Sequence, residues 1–408
     1  MSWKIIPLGR IYRRSEESGR PDLQLLSVYR DHGVLLRDGR ADNYNRPGED
    51  LSSYKVVERG DLVLNKMKTW QGSLGVSAHR GIVSPAYFIG RRVADVEDRF
   101  MHHLLRSQPL VAQYGARSKG IRPSQWDLPW EEFASIKVAI PGKARQQAIA
   151  DFLDTETTRI DALIAKKRRM IDVLVESQRR RVSHLLGCEV AFVDGAAGPS
   201  GTVVIALRRV AEIRGGLTLG KRYDVPVVEM PYLRVANVQD SWCNLAEVAR
   251  VAVSASDWHR FALRAGDVLV LEGNGNPENL GRGAVWRGQI DPCLHQNHVH
   301  AVRTNGRKLQ PEYLALILRT DWARHFFTSG SAQVSIATLS QSRLGELPIP
   351  LPGVAEQEAL IARATSIASV TSRASAALGK QIDLLREHRQ ALITAAVTGE
   401  LDVPVVAA

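Results

Sequence analysis

The stretch Asn65-Lys66-Met67-Lys68-Thr69-Trp70-Gln71-Gly72-Ser73-Leu74-Gly75 concentrates basic, amide, aromatic and glycine residues directly after the apolar run Leu62-Val63-Leu64. Side chains such as Lys66 and Lys68 suit phosphate oxygens. An amide such as Gln71 matches an adenine edge, and glycines let backbone approach a ligand closely. Ser73 completes this set, whereas Trp70 taken alone reads more readily as packing than as stacking. A second basic loop, Arg117-Ser118-Lys119-Gly120-Ile121-Arg122, precedes an apolar run at Ile136–Ile140. In the second half the candidates for the same chemistry are Arg214, Lys221, Asn274, Asn276, Arg282, Gln296, Asn297 and His298, with Gln333 in the polar loop that answers the basic one. A solvated loop is the open alternative for each.

Catalytic patterns fall short of their requirements. Gly215-Gly216-Leu217-Thr218-Leu219-Gly220-Lys221-Arg222 approaches a phosphate loop, but Arg222 stands where a magnesium-binding Ser or Thr is needed. A basic turn facing phosphate is the better reading. His295-Gln296-Asn297-His298-Val299-His300 has the imidazoles of a metal site but, apart from Asp291 upstream, no Cys or carboxylate partner at ligand spacing. If it is one strand, alternation places Gln296, His298 and His300 on one face and Asn297 on the other. Asn276-Pro277-Glu278-Asn279 lacks the second proline and the aromatic residue of the adenine-methylating motif. GxSxG and HExxH patterns are absent from the sequence.

Composition narrows the partner. The 408 residues carry a formal charge of +11, with a pI near 9.7, so a polyanion is the first candidate, and nucleic acid leads. Cys188, Cys243 and Cys293 are dispersed, which disfavours a disulfide framework and fits a reducing cytoplasm. No apolar run reaches the length of a membrane span, so a soluble cytoplasmic protein without membrane contact is expected.

The elements that position these residues are duplicated. Pro141-Gly142-Lys143-Ala144 and Pro352-Gly353-Val354-Ala355 lie 211 positions apart, and Gln146-Gln147-Ala148 is answered at the same offset by Gln357-Glu358-Ala359. Both starts lead into proline-free stretches of some forty residues that end at Gly187 and Gly399. Such glycines predict left-handed helix closures. Leu378, Ile382, Leu385, Arg389, Leu392 and Ala396 step by four and three as a heptad seam, and Ile160, Leu163, Ile164, Ile171, Leu174 and Leu185 form a less regular one. Two rods of roughly 65 Å, at 1.5 Å per residue, are expected to pair antiparallel, with the basic runs 166–169 and 179–181 exposed. The frame around them also repeats: Gly266-Asp267-Val268-Leu269-Val270 answers Gly60-Asp61-Leu62-Val63-Leu64, while the segments that follow diverge. Shared scaffolds with different inserts point to two modules that bind two different things.

The expected class is α+β: two mixed α/β domains separated by two long antiparallel coiled-coil helices, in a pseudo-twofold repeat. The first domain spans 1–140, the first long helix 141–187, a linker and leading strand 188–207, the second domain 208–351, the second long helix 352–399 and a tail 400–408.

Together these residues resemble the specificity subunit of type I restriction–modification systems. The resemblance rests on Asn65-Lys66-Met67…Trp70-Gln71-Gly72-Ser73…Gly81-Ile82-Val83-Ser84-Pro85-Ala86-Tyr87, on Gly281-Arg282, on Gln296-Asn297-His298, and on Pro350-Leu351-Pro352 leading to Glu356-Gln357. It rests also on the ending Arg389-Gln390-Ala391-Leu392-Ile393-Thr394-Ala395-Ala396-Val397-Thr398-Gly399. Arg145-Gln146 departs from the usual Glu-Gln. The resemblance implies two target-recognition domains, each reading half of a bipartite double-stranded DNA sequence. It implies helices that set the spacing and dock two methyltransferase subunits, and restriction motor-nuclease subunits in the full complex. The chain itself would hold no cofactor, metal or catalytic residue: S-adenosylmethionine would belong to the methyltransferase, ATP and magnesium to the motor-nuclease. The competing readings are a coiled-coil scaffold without DNA readout and an enzyme working through Lys221 or His298.

Overall fold

Gly187 and Gly399 hold left-handed backbone, with φ of 63° and 84°. They close two long helices, Lys143–Leu185 and Val354–Thr398, of 43 and 45 residues. The Cys188 N–H turns back to the Ser183 carbonyl at 2.7 Å and the Leu401 N–H to the Ala395 carbonyl at 2.9 Å, satisfying acceptors that a helix end leaves open. The computed structural model describes residues 3–37, 50–120, 126–188, 202–220, 222–273, 280–328 and 338–405. The chain divides into two units, Met1–Lys167 with Gly379–Ala408, and Arg168–Leu378. Each contains one globular domain and a portion of both long helices.

In the first unit, strand Lys4–Pro7 pairs antiparallel with Lys137–Ile140, Ile5 opposite Ala139, so the chain's first strand is tied to the one feeding the long helix. A four-stranded sheet follows in the order Tyr12–Ser15, Tyr87–Arg92, Leu62–Asn65, Leu74–Val76. The strand Leu62–Asn65 opens with the unbroken apolar run Leu62-Val63-Leu64 because both its faces are covered there. Leu62 and Leu64 join a core with Phe100, Trp130 and Phe133, whereas Val63 joins a smaller cluster with Leu26, Val57 and Ile89. Ile149 and Leu153 of the first long helix and Ile393 and Val397 of the second enter the larger core. The helices are therefore anchored by apolar burial, at roughly 25 cal/mol per Å².

The second unit repeats this frame. Strand Val204–Ala206 pairs with Pro348–Pro350, and the sheet runs Ala211–Arg214, Val299–Thr304, Val268–Leu271, Gly283–Val285. The helices Asp98–Leu105, Gln108–Arg117 and Trp130–Ser135 of the first unit are answered by Pro311–Leu318, Asp321–Thr328 and Gln341–Gly345. The additions differ. The first unit adds the hairpin Leu26–Tyr29/Gly33–Leu36 and the pair Lys55–Val57/Gly81–Val83. The second adds a sheet of Ala249–Ser254, Val227–Leu233 and Leu294–His295 with helix Ala255–Phe261.

Two polar devices recur with the frame. Gly60 and Gly266 take φ of 85° and 93°. The buried aspartate after each accepts a turn N–H, from Glu58 and from Arg264, and meets an arginine on the neighbouring strand, Arg91 or Arg303. The second device uses the paired glutamines. Gln146 accepts the Glu97 N–H at 2.9 Å and donates to the Pro141 carbonyl at 2.8 Å. Gln357 accepts the Gln310 N–H at 2.9 Å and donates to the carbonyls of Lys308 and Pro352 at 2.8 and 2.9 Å. Glu97 and Gln310 each precede the first helix after the four-stranded sheet. Each glutamine thus locks a long helix to its domain by saturating buried backbone groups that would be costly left unpaired.

The long helices run antiparallel in the first unit: Asp161 pairs with Arg389 at 3.1 Å, and Lys167 donates to Gln381 at 2.6 Å, so rising numbers on one meet falling numbers on the other. Ile160, Ile164 and Ile382 are buried, and Ile171, Leu174, Leu185, Leu378, Leu385 and Leu392 are half-buried. Leu163 corrects the expected seam, since it is 41% exposed. A two-helix contact covers a stripe too narrow to hold Ile160, Leu163 and Ile164 together. The deeper burial lies where the helices meet the domains, at Ile149, Leu153, Val182, Leu186, Ile393 and Ala396. Among the described residues no helix is long and apolar enough to cross a membrane.

Candidate nucleic-acid interface

In the first unit the strand Leu62–Asn65 ends in a turn that pushes its basic residues outward. The Asn65 carbonyl accepts the Lys68 N–H at 2.9 Å and the Thr69 hydroxyl at 2.8 Å. A short 3-10 turn, Thr69–Gln71, closes on Gly72 at φ 90°, a backbone conformation that glycine adopts without steric cost. Lys68 and Gln71 are exposed, and Lys66 is half-buried with its ammonium 2.9 Å from Asp127. Trp70 donates from Nε1 to the Met67 carbonyl at 3.1 Å, and its ring lies 5.1 Å from that of Trp126. Ser73 corrects the sequence reading: it is 5% exposed and its side chain faces inward, because the strand Leu74–Val76 that follows is wholly buried.

The second basic segment is brought to the same place. Helix Gln108–Arg117 packs on the Thr69–Gln71 turn, and Lys119 pairs backbone to backbone with Asp127 at 2.8 Å in both directions. Lys119 Nζ also reaches Glu132 at 3.2 Å. Lys66, Lys68, Trp70 and Gln71 thus share a neighbourhood with Arg117, Lys119 and Trp126. The ion pairs are partly exposed and contribute at most about 1 kcal/mol each, so phosphate can displace them. Trp126 escaped the sequence reading because its partner is 56 positions away and no local pattern links them. Arg122 lies outside the described residues, as do Lys221, Asn274, Asn276 and Gln333.

In the second unit the glycine-rich stretch has a structural role. A Cβ on Gly216 would sit 2.2 and 2.3 Å from the carbonyl oxygens of Gln296 and His295. Leu217 bonds there, its N–H to the His295 carbonyl at 2.8 Å and its carbonyl to the Asn297 N–H at 3.0 Å. The chain then continues to strand Val227–Leu233, whereas a phosphate loop opens a helix. Arg214 is half-buried and donates to the Arg260 carbonyl at 2.6 Å.

The histidine run is not one strand. Strands Leu294–His295 and Val299–Thr304 are separated by a turn at Asn297 and His298, so the expected common face of Gln296, His298 and His300 does not form. His295 is buried with Nδ1 2.7 Å from the Val299 carbonyl, His300 is buried with Nε2 2.7 Å from the Leu339 carbonyl, and exposed His298 meets Glu272 at 2.7 Å. Gln296 accepts the Val235 N–H at 3.4 Å. Asn297 is half-buried, and Arg282 donates to the Val238 carbonyl at 3.0 Å. Among the described residues no three His, Cys, Asp or Glu side chains converge as a metal would need. The sequence reading also passed over Trp242, which is 57% exposed and follows Ser241, a non-glycine residue at φ 73°. An exposed tryptophan beside strained backbone marks a contact surface more strongly than its sequence context does.

Burial holds the His295 imidazole down at about 4 from its ordinary 6.5. The unfolded chain therefore takes up this proton first. Stability is expected to fall as pH drops from about 6.5 to about 4, by about 3 kcal/mol at most from this group. Denaturant unfolding at stepped pH tests this: His295→Gln should flatten that window, and an unchanged slope would refute the assignment.

The two units share one frame and differ in what is added to it. No family model matches the chain. It is 23% identical over 301 residues to the Type I restriction enzyme StySPI specificity subunit of Salmonella potsdam, covering 70% of this chain and 61% of that subunit. It is 22% identical over 382 residues to the EcoKI specificity subunit of Escherichia coli K12, covering 87% and 78%. The chain thus spans about three-fifths of the length of the Salmonella relative. A solved chain from work on complex assembly and conformational transition of the type I R-M system shares the fold, with a TM-score of 0.64, 16% identity and 98% coverage of both chains. The resemblance read in the motifs holds: in sequence the chain is similar to type I specificity subunits.

Proposed function

We propose that this chain is the DNA-specificity subunit of a type I restriction–modification complex. Each domain reads one half of a bipartite duplex target, and the long helices space the domains and dock two methyltransferase subunits. Restriction motor-nuclease subunits complete the assembly. The chain takes no catalytic step. S-adenosylmethionine sits on the methyltransferase, which methylates adenine N6, and ATP and magnesium sit on the motor-nuclease. The observation that carries this reading is the repeated frame with unlike additions, together with the lysines, amide and two tryptophans gathered at the end of the buried strand Leu62–Asn65 in the first unit. Similarity to specificity subunits supports it.

A map of N6-methyladenine in the host with the gene intact and deleted tests the proposal. A bipartite motif methylated only with the gene intact is the expected result; a deletion that removes no motif from an active system counts against it. Affinity of the assembled complex for its target should fall steeply with salt, and Lys68→Ala should lower the magnitude of the log–log slope by about 0.9 if Lys68 meets one phosphate. Salt-insensitive or undetectable binding favours the scaffold reading instead.

A further inference from the structure

The second unit holds a partly open cavity of about 340 Å³. Four arginines line it, Arg179 from the first long helix and Arg282, Arg319 and Arg324 from the domain, with Asp240 as the acid among its lining residues. Their partners are unequal. Arg319 meets Asp240 at 3.0 Å, and Arg179 meets Glu176 at 2.9 Å and Asp321 at 3.6 Å. Among the described residues, the Arg282 guanidinium donates to the Val238 carbonyl, and no carboxylate pairs with Arg282 or Arg324. The Nε atoms of Arg179 and Arg282 are buried without an acceptor among the described residues. Among the described residues, the charges of Arg282 and Arg324 and the Nε–H groups of Arg179 and Arg282 are thus left without a counterpart around this pocket.

A buried guanidinium N–H without an acceptor is unfavourable, and an excess of like charge in a cleft raises the local potential. An anion with several oxygens removes both penalties, and the planar guanidinium fork matches phosphate oxygens two at a time. A cavity of this volume admits a phosphoryl group together with part of the molecule that bears it. We propose that this cavity is a phosphate-binding site in which Arg282 and Arg324 hold the phosphoryl oxygens and Arg179 and Arg319 form its charged walls. The proposal rests on the arginine geometry and not on the DNA-reading assignment, which stands or falls by the methylation map.

The test is calorimetric titration of the full chain with inorganic phosphate at constant ionic strength. Wild type is expected to bind one phosphate per chain. Arg324→Gln and Arg282→Gln should each weaken binding about tenfold or more, while exposed Arg307→Gln leaves it unchanged. Arg324→Lys, which keeps the charge and loses the fork, should fall between. Thermal unfolding in phosphate-free buffer identifies any variant that has lost its fold, and the lysine variant then carries the comparison. Absence of phosphate binding by wild type, or equal weakening by Arg307→Gln, overturns the proposal. Repeating the titration with bound duplex separates the sources. Competition at matched ionic strength identifies a DNA backbone phosphate, and simultaneous binding identifies a small phosphorylated molecule.

Discussion

Exchanging residues 1–140 for the equivalent domain of another specificity subunit is expected to change one half of the methylated sequence completely and leave the other half intact. Leu62, Leu64, Phe100 and Trp130 pack in one core on the sheet, Val63 and Ile89 in a second, and both clusters belong to the first unit. The graft must preserve the contacts to the helices, among them Ile149, Leu153, Ile393 and Val397, the Gln146 clamp and the pairing of Arg99 with Asp151 and Asp154. Under the proposed reading the base contacts to one half-site come from side chains of the exchanged domain, and one lost bidentate contact costs about 1–3 kcal/mol of discrimination, so an exchange of all of them resets the half-site. Methylation mapping reads the outcome directly. A change in both halves would mean that the domains do not read independently.

Asp267→Ala should destabilise the second unit by about 3 kcal/mol, the scale for breaking one side of a buried ion pair. Asp267 is 1% exposed and receives three hydrogen bonds, two from Arg303 at 2.8 and 2.7 Å and one from the Arg264 N–H at 2.8 Å. Its loss strands a mostly buried guanidinium and frees the turn after which strand Val268–Leu271 begins. The matching change in the first unit, Asp61→Ala, should cost less. Arg91 touches Asp61 through one contact at 3.2 Å and keeps Glu17 at 3.0 Å, and burial raises the Asp61 carboxyl above its ordinary value, so its charge is poorly compensated. Denaturant unfolding of the two variants, followed with a probe in each unit, checks the difference. Equal losses would show that the duplicated device is energetically equivalent despite its unlike geometry.

Local chemistry carried much of the architecture. Pro-Gly starts, heptad spacing and terminal glycines suffice to place two long helices, because capping and periodicity depend on neighbours within one or two turns. The duplicated Gly-Asp and Pro-Gly steps likewise disclose the repeat, since each is a backbone requirement met by one residue type. The same reasoning places Lys68 and Gln71 outside, at a turn that follows a buried strand.

Contacts distant in sequence were settled by the fold alone. Whether Leu163 joins the seam depends on the width of the surface its partner helix offers. Ser73 turns inward because the strand beside it lies under helices, and the histidine run breaks because Gly216 brings Leu217 against it. The pairing of Trp70 with Trp126 and the gathering of four arginines around one cavity require segments far apart in the chain to meet. By itself the sequence determined the helices, the repeat and the basic character of the loops, because those depend on local backbone preference and charge. Only the tertiary structure decided which side chains are spent inside and which remain on a surface, because burial is a property of the packed neighbours and not of the residue.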